Sequence, residues 1–123
     1  MLDAHEPVYA CFRGKDPPRF ANDAERECAR LLDFHGIAWQ YEPHSFVLRS
    51  DEQGRVTEAF TPDFYLPELD FYLEITTQRQ RLGTRKRRKV RLLRDRYPGV
   101  NIRLFERSDV EALARRHGLG RPA

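Results

Sequence analysis

The stretch TPDFYLPELDFYLEIT, residues 61–76, constrains the fold more than any other part of the chain. It holds two apolar, aromatic runs with strand periodicity, separated by the turn sequence Pro67–Asp70. With those four residues as a hairpin loop, Leu66 faces Phe71, and counting outward pairs 65 with 72, 64 with 73 and 63 with 74. One face of the pair then carries Phe60, Phe64, Leu66, Phe71, Leu73 and Ile75, and is the core face. The other carries Thr61, Asp63, Tyr65, Tyr72, Glu74 and Thr76. Asp63 and Glu74 lie directly opposite each other on it, with Cβ atoms about 5 Å apart.

Two carboxylates at that spacing repel. Partial burial raises the cost unless one is protonated or a cation lies between them. Hard oxygen donors so placed suit Mg²⁺ or Mn²⁺, which takes a couple of carboxylates, several waters and a substrate phosphate. The same geometry also fits acids solvated on an exposed sheet face, or acids paired with nearby arginines.

The remaining elements follow from periodicity and punctuation. NDAERECARLLDFHG is a helix with Asn22 as cap, Glu25 three residues on as in a capping box, and Gly36 as stop. Its buried stripe is Cys28, Leu31, Leu32 and His35. IAWQYEP alternates as a strand, HSFVLR is a second strand or its continuation, and VTEAFTPDFYL reads as one long strand after the turn SDEQGR. Residues 84–97 form a helix stopped by Pro98-Gly99, VNIRLF a further strand, and SDVEALARRHG a last helix with Ser108 as cap and Gly118 as stop. A helix between the last two strands permits a crossover, so the sheet is mixed. At 123 residues the chain is one domain. Its expected parts are an extended N-terminal segment over 1–20, the domain over 21–118 and a short tail over 119–123.

With 40% hydrophobic and 33% charged residues the chain is globular rather than disordered. No run approaches the roughly 20 apolar residues of a membrane span, and the N-terminus has no signal core, which implies a cytoplasmic protein without a membrane partner. Cys11 and Cys28 make neither a metal spacing nor a disulfide framework, and His5, His35, His44 and His117 show no metal spacing. The charge is unevenly spread. Residues 79–96 hold ten Lys/Arg and one acid, +9, against a net +3 for the whole chain. Such asymmetry points to a polyanion on one face, nucleic acid first, with a merely solvated basic helix as the alternative.

Taken together, these residues resemble the PD-(D/E)XK nuclease superfamily. Pro62-Asp63-Phe64 resembles its Pro-Asp motif, Leu73–Thr76 its (Asp/Glu)-X-Lys motif, and Glu25 the acid on its first core helix. GIAWQYEPHSF resembles the first strand of small resolvase-like members. The resemblance covers roughly residues 20–115. It implies an α/β fold with a restriction-endonuclease-like core: a small mixed four- to five-stranded sheet flanked by helices in αβββαβα order. It also implies that Asp63, Glu74 and the main-chain carbonyl of Ile75 hold Mg²⁺ or Mn²⁺, while Glu25 binds a water on the metal or a second ion. Glu25 serving only as a capping-box residue is the competing reading.

The chain departs from the motif at Thr76, where the family has lysine. Threonine carries no cation to orient the attacking water or stabilise a pentavalent phosphorus. Either catalysis is lost or a cation arrives from elsewhere. In the basic helix Lys86, Val90, Leu93 and Tyr97 share the core-facing stripe, with Lys86 at its N-terminal end, where the helix can bring it over the acids. Lys89 flanks that face by about 60°. The chain has three lysines beside nineteen arginines, so two in this helix stand out. Gln78 and Gln80 are weaker replacements, able to orient a water without supplying charge.

On the same helix Arg85, Arg87, Arg88, Arg91 and Arg94 point away from that stripe and, with Lys89, suit phosphate contacts that position a duplex without reading its sequence. Trp39, Tyr41, Tyr65 and Tyr72 are candidates to stack on unpaired bases or to pack the core. Glu42 and His44, on and just after the YEP strand, are either surface residues or neighbours of the acids. The resulting expectation is a metal-dependent endonuclease acting on DNA ahead of RNA, with Asp63, Glu74, Glu25 and Lys86 as its catalytic set. The alternative is a non-catalytic nucleic-acid-binding module in which Thr76 marks lost chemistry. One small active site cuts one strand, so a duplex cut calls for a homodimer or a partner protein.

Overall fold

The structure, a computed structural model, describes residues 9–77 and 80–117, without the side chains of 80–82, 114 and 117. Gln78, the Gln80 side chain and Gly118 therefore lie outside the described residues. Among the described residues, three helices and six strands build a mixed α/β arrangement. They are α1 (Asp23–Phe34), β1 (Gln40–Tyr41), β2 (Phe46–Ser50), β3 (Val56–Phe60), β4 (Phe64–Leu66), β5 (Phe71–Ile75), α2 (Gln80–Arg96), β6 (Ile102–Phe105) and α3 (Arg107–His117).

The hairpin of β4 and β5 has the expected register, with Phe64 opposite Leu73, Tyr65 opposite Tyr72 and Leu66 opposite Phe71. Its loop closes through the Leu69 N–H to the Leu66 carbonyl at 3.1 Å. The hairpin is the middle of a four-stranded sheet of order β1-β4-β5-β6. β1 is antiparallel to β4, while β6 is parallel to β5, with Tyr72 beside Ile102 and Glu74 beside Leu104. A parallel neighbour needs a crossover, and α2 supplies it.

The long strand expected over 56–66 is two strands in two sheets. β3 pairs with β2 in a separate two-stranded sheet, Phe46 opposite Phe60, and the chain then breaks before β4. Pro62, fully buried, has no N–H to carry a ladder through this point. The single core face also becomes two. α1 and α3 cover the side of Phe64, Leu66, Leu73 and Ile75, whereas Phe60 packs with Leu48, Tyr72, Val90, Leu93 and Ile102 under α2. A sheet with a parallel edge is covered on both faces, so the acids' face is buried too.

Local signals account for the helix ends. Asn22 caps α1, accepting from the Glu25 N–H at 3.0 Å, and Gly36 leaves the helix at φ 70°. α2 begins at Gln80, four residues before the expected start, and α3 at Arg107 rather than after Ser108. There Asp109 reaches back to the Glu106 N–H at 2.8 Å, so the cap is Glu106. The strand expected over 37–43 shrinks to Gln40–Tyr41, and Trp39 before it forms an isolated bridge with Phe12. Trp39 also hydrogen-bonds Asp33 at 2.9 Å and gathers the rings of Tyr9, Phe12 and Phe20. Among the described residues no helix is long and apolar enough to cross a membrane.

Candidate metal centre

Asp63 stands one residue before β4 and Glu74 near the end of β5, and the hairpin holds both at 6% exposure. Each carboxylate braces the other's strand. Glu74 Oε1 accepts the Asp63 N–H at 3.1 Å, and Asp63 Oδ2 accepts the Ile75 N–H at 2.9 Å. These bonds fix the direction of both groups. They leave Asp63 Oδ1 and Glu74 Oε2 without a backbone donor among the described residues. Taking a carboxylate out of water costs several kcal/mol even after relaxation, a large share of the roughly 5–15 kcal/mol that holds a domain together. Burial therefore raises the pKa of both acids above the ordinary carboxylate range. For Asp63 the Glu74 charge adds to the rise; for Glu74 the Lys86 ammonium is the largest opposing influence.

Glu25 joins them from α1. It is 4% exposed, and its charge raises the pKa of both Asp63 and Glu74. Its Oε1 accepts from the Ala21 N–H at 3.1 Å and from the Tyr41 hydroxyl at 2.6 Å. Asn22 makes its half of a capping box, but the Glu25 side chain turns inward and reaches the N–H of the residue before the cap rather than that of the cap itself. Tyr41 orients this acid, a role that the sequence does not mark. Its place in the Ile37-Trp39-Tyr41 alternation makes it an inward residue, but nothing ties it to a residue sixteen positions earlier. Burial and the Glu25 hydrogen bond push its phenol pKa up, so it remains a proton donor to Glu25. Cys28, beneath this cluster, is inert as a nucleophile because burial, Asp63 and Glu25 all raise its thiol pKa.

α2 carries Lys86 over the acids, as its helical periodicity requires. The ammonium donates to the Ile75 carbonyl and lies 3.7 Å from Glu74 Oε2, with the side chain 26% exposed. Below it on the stripe, Val90 and Leu93 are buried and Tyr97 donates to the Val47 carbonyl at 2.9 Å. Gly83, one turn before Lys86, passes close to the end of β5. A Cβ there would stand 3.8 Å from Thr76 Oγ1 and 3.4 Å from the Arg87 guanidinium, so the helix crosses directly above the position where the motif has lysine. Lys86 enters beside that crossing.

The other predicted contacts divide. Arg85, Arg87 and Arg91 are exposed on α2. Arg88 makes a two-pronged bond to Glu58 at 2.6 and 3.2 Å, and Lys89 stands 5.9 Å over the Phe60 ring. Arg94 does not face outward freely, since its guanidinium donates to the Ile102 carbonyl at 2.6 and 3.2 Å. Trp39, at 0% exposure, has no face for a base, and neither has Tyr72, at 7%. Tyr65 is tied to Asp70 at 2.8 Å. His44 pairs with the Tyr72 hydroxyl at 2.6 Å, while the Glu42 N–H donates to the Asp63 carbonyl at 2.9 Å. Glu42 is exposed, yet burial and then Glu25 raise its pKa.

A hollow of about 270 Å³ lies past the end of β5, lined in part by Ala24, Cys28, Ile75, Thr76, Thr77 and Arg107, with Asp63, Glu74 and Glu25 not among its described lining residues. A larger one, about 790 Å³, lies at the other end of β5 against Phe71, Phe105 and Leu113, with no acid among its described lining residues. Chemistry, not size, singles out the acids' end. Among the described residues no group of three or more His, Cys, Asp or Glu side chains is arranged to hold a metal ion. A divalent ion would thus rely on two carboxylates and the Ile75 carbonyl. That donor set is all hard oxygen, the type that such an ion takes, and the Lys86 ammonium already lies against it. The chain matches no protein-family profile, no curated protein and no solved structure.

Proposed function

We propose that the domain is a divalent-metal-dependent nuclease of the PD-(D/E)XK type, hydrolysing phosphodiester bonds in DNA. One observation carries this reading: two buried carboxylates on neighbouring chain segments share their site with a lysine from an arginine-rich helix. A structural ion pair has no need of two acids for that lysine. Buried acids left short of positive charge are a site built to receive more.

A divalent ion bound there supplies the positive charge that acidifies water and neutralises the scissile phosphate. Asp63 and Glu74 hold it, and the main chain that they brace keeps them from turning away. Glu25, oriented by Tyr41, is placed to accept a hydrogen bond from water at the same site. Lys86 supplies the cation that Thr76 cannot. Arg85, Arg87 and Arg91 hold the phosphate backbone on the exposed face of α2. The sequence of the duplex is left unread, so strand junctions or distorted ends suit this surface better than a fixed recognition site.

Thr76 favours a second reading, a nucleic-acid-binding module that has lost its chemistry. Incubating the protein with labelled single-stranded, duplex and branched DNA, and with RNA, under Mg²⁺ or Mn²⁺ decides between them. The nuclease reading expects metal-dependent cleavage that Asp63→Asn abolishes while binding persists. Salt-sensitive binding with no cleavage by either protein selects the binding module.

A further inference from the structure

Lys86 does more in this geometry than stand near the acids. Its ammonium donates to the Ile75 carbonyl and approaches Glu74 Oε2 at 3.7 Å, and these are two of the three oxygen-bearing groups that a divalent ion would need. We propose that Lys86 is an exchangeable resident cation, filling the metal position until a divalent ion displaces it; this rests on the metal reading above.

Occupancy and charge both require the exchange. A carbonyl oxygen that already receives an ammonium cannot also receive a divalent ion in the same direction, and two cations on neighbouring oxygens repel. Whenever they are ionised the buried acids need positive charge beside them, because removing the counter-charge from a buried carboxylate is costly. Lysine meets that need with a flexible four-carbon stem and a compact charge, whereas arginine's planar fork would be harder to withdraw. The stem has somewhere to go. Lys86 is partly exposed, and its neighbours Arg85 and Arg87 face solvent on the same helix. A displaced ammonium therefore moves toward the surface where the phosphate backbone is held. Ion loading and the delivery of the lysine become one event, which explains why a lysine on α2 can replace one at position 76, just past β5.

The test is calorimetric titration of Mn²⁺ into the full chain and into Lys86→Met and Lys86→Gln, without nucleic acid. Removing the resident charge is expected to tighten Mn²⁺ binding by about tenfold or more, the scale on which one adjacent charge changes a carboxylate's proton affinity. Lys86→Gln, which keeps a donor for the Ile75 carbonyl, guards against a misfolded Lys86→Met and is expected to tighten binding as well. Mn²⁺ binding by the variants alone would also support exchange, with the lysine as a blocking group. Equal or weaker binding in folded variants overturns exchange and leaves the metal site standing. Absence of Mn²⁺ binding in all three proteins overturns both.

Discussion

Two acidic sites on this molecule meet the same difficulty and resolve it differently. Glu58, on β3, is half-buried and is held by Arg88 in a two-pronged bond, with Arg49 at 3.8 Å. Its pKa falls, first through the Arg88 hydrogen bond. Asp63 and Glu74 are buried, each faces another acid, and both have raised pKa values despite Lys86. The basic helix serves both sites, giving Arg88 to one and Lys86 to the other, two residues apart in sequence. Glu58 is thus a completed ion pair. We read the Asp63–Glu74 pair as an incomplete one, and the metal-centre proposal rests on that reading.

Neutralising one acid at each site should separate them most widely. Asp63→Asn should lower Mg²⁺-dependent DNA cleavage by at least about a hundredfold, the order seen when preorganised charge stabilisation is removed. Glu58→Gln should leave the rate unchanged within a factor of about two, because a surface ion pair contributes little. Equal losses would mean that the two acids play one structural role.

The two cations should differ next. Lys86→Ala should cost at least about ten times more activity than Arg88→Ala, measured as kcat/KM on the same substrate, given the scale of general acid–base and electrostatic contributions. Equal effects would reduce Lys86 to one phosphate contact among several.

The two sites should also respond to pH with opposite signs. A carboxylate with a raised folded pKa binds more protons folded than unfolded. Its penalty therefore grows as pH rises from the ordinary carboxylate range near ~4 through the raised folded values of Asp63 and Glu74. The metal-free protein should lose thermal stability across that window, by melting curves in chelator, and saturating Mg²⁺ or Asp63→Asn should flatten the slope. Glu58, whose folded pKa is depressed, contributes stability above its unfolded pKa and loses it as pH falls through the folded one. A metal-free protein whose stability rises toward pH 8 would remove the basis for uncompensated charge.

A more modest change is expected on the outer face of α2. Arg85→Ala and Arg91→Ala should each weaken DNA binding similarly across sequences and reduce the slope of log affinity against log salt by about one. An unaltered slope would place the nucleic acid elsewhere.

How far the chain reveals itself depends on the range of each signal. The hairpin register is legible because Pro67–Asp70 fixes the loop and a two-residue period does the rest. Lys86 is legible because helical spacing ties it to Val90, Leu93 and Tyr97. Glu25 is legible as both a cap neighbour and an inward residue. Contacts with no local mark are not. Arg88 and Glu58 are thirty residues apart, and either could be solvated for all the sequence says. Arg94 reads as an outward cation, and only the crossover brings its guanidinium to the Ile102 carbonyl. The break at Pro62 is visible, but periodicity continues through Phe60 and Phe64, and only the two packing layers show that these rings go to opposite sides. Gly83 stands in the sequence as a weak point in a helix, and its closeness to Thr76 needs the third dimension.

The functional reading depends on Asp63 and Glu74 jointly holding a divalent ion, and a Mn²⁺ titration followed by calorimetry addresses this without assuming any substrate. One equivalent should bind to the native chain, or to Lys86→Gln where the lysine blocks it, and binding should vanish on adding either Asp63→Asn or Glu74→Gln. Mn²⁺ binding that survives both acid substitutions, or that is absent even without Lys86, would contradict it.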